Sequence, residues 1–442
     1  MLSLKKIESY LDHTVVLCFI LLIFILPIVH TVAIRYILIL FPTGLWLINL
    51  LIKMYYNKKI DIQRTPLDYT ILAFIFMTFL SLITAMDFWY SLKEIKAEVL
   101  TVFLLFYVVV NNIRNNEQIK YILTSLLLGT AVFAIYGLFH FFSRGGNLLC
   151  HFIREGSFTN GYLSYSIYLS TAFPFSLGAV FYVRKRLLKL LFIILLILNT
   201  FCVYITFTRA CWIGVLAEVI IFFTILFWGR KKILFILLSI FIIIIFSIWR
   251  PLPIPVKYHG RPGLFVDGET LNNTGEERLM IWSFALNELR KQPFLPLGYG
   301  IRSFCKKFKQ FDKTRLWHTH NIYIEMAMQL GLQGLLVFLF MIAMILLTLG
   351  KAINKEGKDK FLRIFLISEL AMVVGFFIHL FFTHDYVDDH VLLFWMIMGL
   401  GMVGVRMSFK EDAKKKNKQF KNMVKGVSNY LKGIVIFFDK LS

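Results

Sequence analysis

Charged residues are scarce in this sequence. Asp, Glu, Lys and Arg together make up 17% of its 442 residues, whereas hydrophobic residues make up 58%. Water-soluble domains typically carry about 25% charged and about 45–50% apolar residues. This imbalance excludes an ordinary soluble domain and predicts an all-α polytopic membrane protein, with its core formed by a helix bundle in lipid.

Cysteine is also scarce, and its scarcity excludes a disulfide-stabilised scaffold. The chain has 5 cysteines. Cys18, Cys202 and Cys211 lie within or beside apolar runs, where cysteine usually serves as a small packing residue. Cys150 and Cys305 lie in predicted extracytoplasmic loops and are candidates for a disulfide, although spacing alone does not establish one.

Acidic residues are outnumbered, since 26 Asp and Glu face 48 Lys and Arg, for a net charge of +22. Such a charge is typical of nucleic-acid-binding proteins, but the basic runs VRKR, GRKK and DAKKKNK border apolar segments. Cations at that position usually mark cytoplasmic loops of membrane proteins. We therefore expect no nucleic-acid partner.

Apolar runs of about 20 residues predict twelve transmembrane helices. The first run is long and has no small-x-small cleavage site, so we expect it to remain as a span. Flanking Lys and Arg place both termini in the cytoplasm. The predicted spans are 14–33, 35–52, 67–86, 96–112, 120–142, 161–183, 188–207, 209–228, 232–249, 321–350, 361–383 and 389–407.

This pattern divides the chain into four regions. Residues 1–249 hold helices 1–9, and residues 250–320 form a long, partly helical periplasmic loop. Residues 321–407 hold the last three helices, and residues 408–442 form a basic cytoplasmic tail. The loop is therefore the main candidate for a soluble, functional segment.

The long loop contains one clear helical pattern. In GEERLMIWSFALNELRKQPF, apolar residues recur in steps of three and four at Leu279, Trp282, Leu286 and Leu289. This spacing predicts an amphipathic helix that stops at Pro293. LPLGYGIRSF then predicts a turn followed by a second short helix.

Two arginines and three glutamates lie at positions that suggest a specific role for their charge, within or beside apolar runs or on the loop helix. Arg209 in TFTRACWIG is either an arginine that snorkels to the interface or a cation at an anionic site. Arg278 on the loop helix is either solvated or able to grip a phosphate bidentately. Glu218, Glu325 and Glu369 fall inside apolar runs, where we expect each to face the bundle and pair with another group.

The stretch HTHNIYIEMAMQLGLQG begins polar and continues as an apolar helix. On a continuous helix that starts near His320, Gly331 lies about three turns further on and Gly334 within about 40° of the same face. Small residues on one face permit close helix packing in membranes. We expect this packing to hold His320 at the periplasmic rim, where His320 either caps the helix or performs chemistry. Asn321 could cap the first turn or bind a sugar.

A zinc site is the remaining possibility for the histidines. His318 and His320 form an HxH pair, and histidine and carboxylate side chains are common zinc ligands. The other ligands would come from His384, Asp385, Asp388 or Asp389. Because HxH with scattered acids is a weak signal, we predict no metal.

These motifs resemble those of the O-antigen ligase family. HNIYIEMAMQLGLQG fits the family pattern of His, a polar amide, nine residues, Gly, two residues and Gly, which His320, Asn321, Gly331 and Gly334 fill. Upstream, REGSFTNGYLSYSIYLS, TFTRACWIG and ERLMIWSFALNELRKQPFLPLGYG are similar to family segments in the same order. At TFTRACWIG the usual Ser before Arg is Thr208.

The resemblance implies a glycosyltransferase of lipopolysaccharide biosynthesis in the bacterial inner membrane. Such an enzyme moves a glycan from undecaprenyl pyrophosphate to a hydroxyl of the lipid A core at the periplasmic face, without a metal or other cofactor. By match, Arg209 and Arg278 would bind the pyrophosphate, and His320 would act as general base. Asn321, Gly331 and Gly334, which complete the motif, would support the site. From their position in the sequence we also expect support from His318 and Asp389, Asp389 as one of the acids able to orient His320.

Other functions remain open at this point. An O-antigen polymerase or a protein O-oligosaccharyltransferase would share the fold and differ in its acceptor. A polytopic transporter of lipid-linked glycans would use the intramembrane glutamates as proton carriers, although no repeat relates the two halves of the chain. A non-catalytic assembly factor would leave His320 without a role.

Overall fold

The computed structural model of the chain describes most, but not all, of the residues. The described residues are 4–28, 30–56, 60, 62–146, 148, 162–227, 265–266, 269–270, 274–311, 318–355, 359–383, 386 and 389–410. The predicted span 232–249, the tail beyond 410, and Cys150, His384, Asp385 and Asp388 lie outside them. The Cys150–Cys305 disulfide therefore stays a prediction.

The described chain is almost entirely helical, as the apolar runs predict. Its one sheet is an antiparallel pair of two-residue strands, β1 (Phe265–Val266) and β2 (Glu269–Thr270). The helices are α1 (Leu4–Ile25), α2 (Val32–Tyr55), α3 (Asp68–Leu80), α4 (Phe88–Glu94), α5 (Thr101–Asn112), α6 (Asn116–Ser143), α7 (Tyr162–Tyr182), α8 (Arg186–Ile205), α9 (Arg209–Leu226), α10 (Thr274–Lys291), α11 (Ser303–Lys307), α12 (Ile322–Ile353), α13 (Lys360–Phe381) and α14 (Asp389–Lys410). A π-helical turn (Ile95–Leu100) joins α4 to α5, and short 3₁₀ turns follow α3 (Ser81–Thr84) and α11 (Lys309–Phe311).

Several of these helices are built to cross a membrane. Among the described residues, 7 helices are long and apolar enough to do so, namely α2, α6, α8, α9, α12, α13 and α14. The chain is thus a multi-pass membrane protein, while the count of twelve spans and their sidedness stay predictions. The π-helical turn inside the predicted span 96–112 has no signal in the apolar pattern.

Side-chain caps fix where several helices begin. Asp87, Asn115, Asn321 and Asp359 each accept a hydrogen bond from a backbone N–H in the first turn of the following helix. Asp and Asn are favoured at this position because their oxygens satisfy N–H groups that the helix itself leaves unpaired. At Asn321 the carboxamide oxygen accepts from two N–H groups, of Tyr323 and Ile324, at 2.9 and 3.2 Å.

Helix α12 breaks at Gly331, which corrects the prediction of a continuous helix. Gly331 has φ 74° and ψ 173°, so α12 consists of two helical segments joined by a kink. A side chain at this backbone conformation is strained, which is why a glycine is needed there. Because the break resets the helical phase, the predicted alignment of Gly331 and Gly334 with His320 does not hold.

The first segment of α12 is covered by the loop helix α10. Helix α10 spans the predicted range and ends before Pro293, but its buried face differs from the predicted one. Ile281, Ala285 and Leu289 are buried, whereas Leu279 and Leu286 are 64% and 46% exposed. The apolar periodicity predicted the helix correctly. Contact with Phe304, Ala327 and Met328 determines which face of the helix is buried.

Two of the three intramembrane glutamates pack on glycines of neighbouring helices. The Glu218 side chain on α9 lies against Gly375 on α13, and the Glu369 side chain on α13 lies against Gly401 on α14. Both glutamates are buried, as predicted. Within the described chain, however, Glu218 Oε2 and both oxygens of Glu369 have no hydrogen-bond partner, so only Glu325 meets the prediction of pairing.

Candidate functional site

The centre of the candidate site is the turn of residues 318–321 at the start of α12. His318, Thr319 and Asn321 are buried, and His320 is half-buried. His320 has φ 52°, in the left-handed region that non-glycine residues rarely adopt. The turn therefore holds the imidazole of His320 in a conformation that its neighbours must enforce.

Thr319 is the most strongly held residue of this turn. Its backbone N–H and its hydroxyl both donate to Glu325 Oε2, at 3.1 and 2.7 Å. Its carbonyl oxygen accepts from the indole N–H of Trp282 at 2.7 Å. The N–H, the hydroxyl and the carbonyl of Thr319 are thus all hydrogen-bonded. Because Thr319 directly precedes His320, these bonds fix the backbone on that side of His320.

His318 supports His320 from the other direction. The His320 backbone N–H donates to His318 Nδ1 at 3.1 Å, and the two ring centroids are 3.8 Å apart. Because a backbone N–H can only donate, His318 Nδ1 must carry no proton in this arrangement. His318 therefore acts as a hydrogen-bond acceptor beside His320.

Trp282 brings the Arg278 helix onto the histidine turn. The indole contacts the Thr319 carbonyl and lies 5.9 Å, centroid to centroid, from the ring of Phe381 at the end of α13. Arg278 is half-buried and lies one helical turn before Trp282 on α10. Residues four apart lie on the same face of a helix, so Arg278 extends the side of α10 that meets the histidine turn.

Arg209 lies at the same end of the bundle. It begins α9, and its exposed side chain makes no hydrogen bond or ion pair with any residue that the structure describes. Helix α9 packs closely on α13, since a Cβ added at Gly214 would lie 2.9 Å from the Gly375 carbonyl oxygen and 3.4 Å from His379 Cβ. Counting back along α9 from Gly214, Arg209 lies level with the end of α13, near Phe381.

A second turn from the loop joins the site through Gln329. The Gly300 N–H donates to Gln329 Oε1 at 3.0 Å, and the Gly298 N–H donates to the Gln329 carbonyl at 3.2 Å. Both glycines have positive φ, 98° at Gly298 and 121° at Gly300, and an added Cβ at Gly300 would lie 2.7 Å from the Tyr90 ring. This turn, predicted from LPLGYGIRSF, thus needs glycine for its conformation and for close approach.

Asp389, one of the acids that the sequence suggested could orient His320, lies at the start of α14, and that role stays a prediction. Asp389 forms an ion pair with the buried Arg35 at the start of α2. Arg35 also donates to the Thr31 hydroxyl at 2.9 Å and to the Ile28 carbonyl at 2.6 Å. Within the described part of the chain, no group of three or more His, Cys, Asp or Glu residues is arranged to hold a metal ion.

Sequence reasoning missed the residues that hold the turn. Thr319, Trp282 and Gln329 make the contacts described above, and none was assigned to the site. Glu325 was singled out only as an intramembrane charge. The spacing of Glu325 and Thr319 was the available signal. Glu325 lies six positions after Thr319, and when Asn321 caps the helix, a side chain at that position points back toward the start of the helix.

A comparison with protein families bears directly on this region. Residues 194–339, roughly a third of the chain, match the family model described as O-antigen ligase. The resemblance to the O-antigen ligase family is confirmed. No curated protein matches the chain significantly.

The O-antigen ligase match covers most of the candidate site. It includes Arg209, Arg278, His318 and His320, together with the two glycines of the motif, and it excludes Asp389. With the apolar helices, this match supports an O-antigen ligase- or polymerase-type membrane enzyme that acts on lipid-linked glycans. The roles of the individual residues are taken up next.

Proposed function

We propose that this chain transfers a glycan, the O-antigen, from undecaprenyl pyrophosphate to a hydroxyl of the lipid A core oligosaccharide. The reaction takes place at the periplasmic face of the bacterial inner membrane. His320 is the general base, Arg209 and Arg278 bind the pyrophosphate, and neither a metal nor another cofactor takes part. His318 and Asn321 support the position of His320.

The observation that carries the proposal is the contact of Trp282 with the Thr319 carbonyl at 2.7 Å. It attaches the helix that bears Arg278 to the turn that bears His320. A base for the acceptor and a cation for the leaving group therefore belong to one assembled unit. The exposed guanidinium of Arg209, at the same end of the bundle, is available for a second contact with the leaving group.

The chemistry needs these two kinds of group. The acceptor oxygen attacks the anomeric carbon, its proton passes to the His320 imidazole, and the bond from that carbon to the phosphate oxygen breaks. The electron pair leaves with the pyrophosphate, where fixed guanidinium groups stabilise the developing charge. A neutral imidazole with an ordinary pKa near 6.5 suits proton abstraction, and general-base help is typically worth about 10²- to 10⁴-fold.

The decisive experiment uses purified protein in vesicles with an undecaprenyl-pyrophosphate glycan and purified lipid A core. We expect transfer by the wild type and none by His320→Ala, with both proteins inserted and folded. His320→Asn is the sharper variant, because Asn tolerates the left-handed backbone and lacks only the imidazole. The matched control is His30→Asn, since exposed His30 also has positive φ, 64°, in the turn between α1 and α2.

The products separate this proposal from its alternatives. Wild-type activity in His320→Asn would contradict the role of His320. Growth of the lipid-linked glycan without transfer to the core would indicate a polymerase, and glycosylated Ser or Thr would indicate a protein O-oligosaccharyltransferase. Movement of intact lipid-linked glycan across the vesicle, without a new glycosidic bond, would indicate a transporter.

A further inference from the structure

We propose that Glu325 is a positioning residue for His320, acting through Thr319. The inference rests on the proposed function, because it concerns the orientation of the general base. Glu325 itself would neither contact substrate nor accept the proton of the acceptor hydroxyl. Its role is to hold the turn of residues 318–321 in the shape that presents the imidazole.

The Glu325 carboxyl group is arranged as an acceptor on both oxygens. It is buried in the first segment of α12 and accepts the Thr319 N–H and hydroxyl on Oε2. Its Oε1 accepts from Gln329 Nε2 at 3.1 Å. A buried carboxyl group that accepts three hydrogen bonds is a strong anchor, because the loss of any one of them would leave a buried polar group unsatisfied.

The turn needs such an anchor because His320 is strained. A non-glycine residue in the left-handed region is strained and persists only where its surroundings enforce that conformation. Thr319 before His320 is held by Glu325 and Trp282, and Asn321 after it is held by its cap on α12. With Thr319 released from Glu325, the described contacts that remain before His320 are those of Trp282 with the Thr319 carbonyl and of His318 Nδ1 with the His320 N–H, so the strained backbone is held less firmly.

The same carboxyl group also links the histidine turn to the turn of residues 298–300. Gln329 donates to Glu325 and accepts the Gly300 N–H on its other amide atom, at 3.0 Å. These two contacts fix the orientation of the Gln329 amide. A Glu325→Gln change places an amide N–H₂ beside Gln329 Nε2 or Thr319, so one of the donor contacts is lost while the size and shape are kept.

The test combines variants that separate positioning from folding. Glu325→Gln and Thr319→Val each remove part of the link, and Thr319→Ser retains the hydroxyl. The matched control is Glu369→Gln, because it makes the same chemical change at another buried glutamate, on α13, away from the histidine turn. Thermal unfolding of each purified variant in detergent verifies that the protein is folded.

Kinetics provide the first readout. We expect Glu325→Gln and Thr319→Val to lower kcat by up to about 10²-fold, since a displacement of about 1 Å in a catalytic group can cost that much. The KM for the lipid-linked donor should stay unchanged, because the arginines that bind it are untouched. Thr319→Ser should restore the rate, and Glu369→Gln should match the wild type.

Chemical labelling provides a readout that does not depend on activity. Diethyl pyrocarbonate modifies accessible neutral imidazoles, and mass spectrometry of the peptide that spans residues 318–325 resolves His320 from His318. We expect His320 to react several-fold faster in Glu325→Gln and Thr319→Val, and at the wild-type rate in Thr319→Ser and Glu369→Gln. Such a change would show that the turn has opened.

Two results would overturn the inference. One is an unchanged labelling rate of His320 together with wild-type kcat in Glu325→Gln. The other is an equal loss of kcat in Glu325→Gln and Glu369→Gln, which would mean a general effect on the bundle. If the wild type transfers no glycan to any acceptor, the proposed function fails, while the labelling arm still decides whether Glu325 holds the turn.

Discussion

At Gly331 the backbone has φ 74° and ψ 173°, and the two halves of α12 change direction there. This conformation lies in a region that is essentially restricted to glycine. The sequence motif contains this glycine, but the predicted reason, close helix packing on a straight helix, is wrong. The residue is needed because the chain bends there.

Gly331→Ala should destabilise the protein by roughly 1–3 kcal/mol, because alanine cannot adopt this conformation without strain. The added Cβ would also lie 2.6 Å from Gln333 Nε2. Thermal unfolding in detergent measures the effect. Gly350→Ala on the same helix is the matched control, since nothing lies within 4 Å of its Cβ and alanine is the better helix former.

An unfolding temperature for Gly331→Ala equal to that of Gly350→Ala would contradict the requirement for glycine. The contrast is informative because both substitutions add one methyl group to the same apolar helix. The two positions differ in backbone conformation and in the room that is left for a Cβ.

At the scale of elements, the loop between α9 and α12 is attached to the bundle at several points. The Thr84 hydroxyl donates to the Pro296 carbonyl at 2.7 Å, and the Met86 N–H donates to the Leu297 carbonyl at 3.0 Å. Lys306 on α11 donates to Asp87, the cap of α4, at 2.5 Å and lies 4.2 Å above the Tyr90 ring. The segment that carries α11 is thereby held against α4 and the 3₁₀ turn after α3.

The Lys306–Asp87 contact should make the stability of this attachment depend on pH. The hydrogen bond from Lys306, with a further one from the Tyr90 N–H, lowers the pKa of Asp87 below its ordinary value. A carboxyl group with a lowered folded-state pKa contributes stability above its unfolded pKa of about 3.9, and loses it as pH falls through the folded-state pKa. Asp87→Asn should therefore lower the unfolding temperature at pH 7 and have little effect in strong acid.

The control for this pair is the same change in a Lys306→Met background. Asn retains the helix cap, so Asp87→Asn should there have little effect at any pH. A pH-independent loss in the presence of Lys306 would show that the cap, and not the ion pair, stabilises the contact. The unfolding temperature, followed from neutral pH down into strong acid, is the measurement.

Across the whole molecule, the ion pair of Arg35 and Asp389 joins α2 near the start of the described chain to α14 near its end. The Arg35 side chain is 6% exposed and that of Asp389 is 18% exposed. When one partner of a buried pair is removed, the cost is typically about 3–5 kcal/mol, because a charge stays behind in a medium of low dielectric constant. The value should be smaller here, since Asp389 is partly accessible.

Arg35→Met and Asp389→Asn should each lower the unfolding temperature of the purified protein. The double variant should recover part of the loss, because neither charge then stays behind. A double-mutant cycle measures this coupling. Additive losses would contradict an energetic link between the two ends of the chain.

The sequence by itself determined the class of the protein and the identity of its candidate residues. The apolar runs predicted the helices. A run of that length spans the bilayer only as a helix, because in lipid its backbone N–H and C=O groups must be hydrogen-bonded within the segment. The order of the His320, Arg278 and Arg209 motifs gave the family resemblance, since a motif is a local property of the chain.

Tertiary structure alone decided which face of α10 is buried, where α12 bends and what holds His320. Ile281 and Leu279 are equally apolar, and the difference in their burial depends on the neighbours that α10 meets. Thr319, Glu325 and Trp282 form one unit because a chain turn and a separate helix meet there. Contacts between distant segments have no periodicity in the sequence, so only the assembled bundle specifies them.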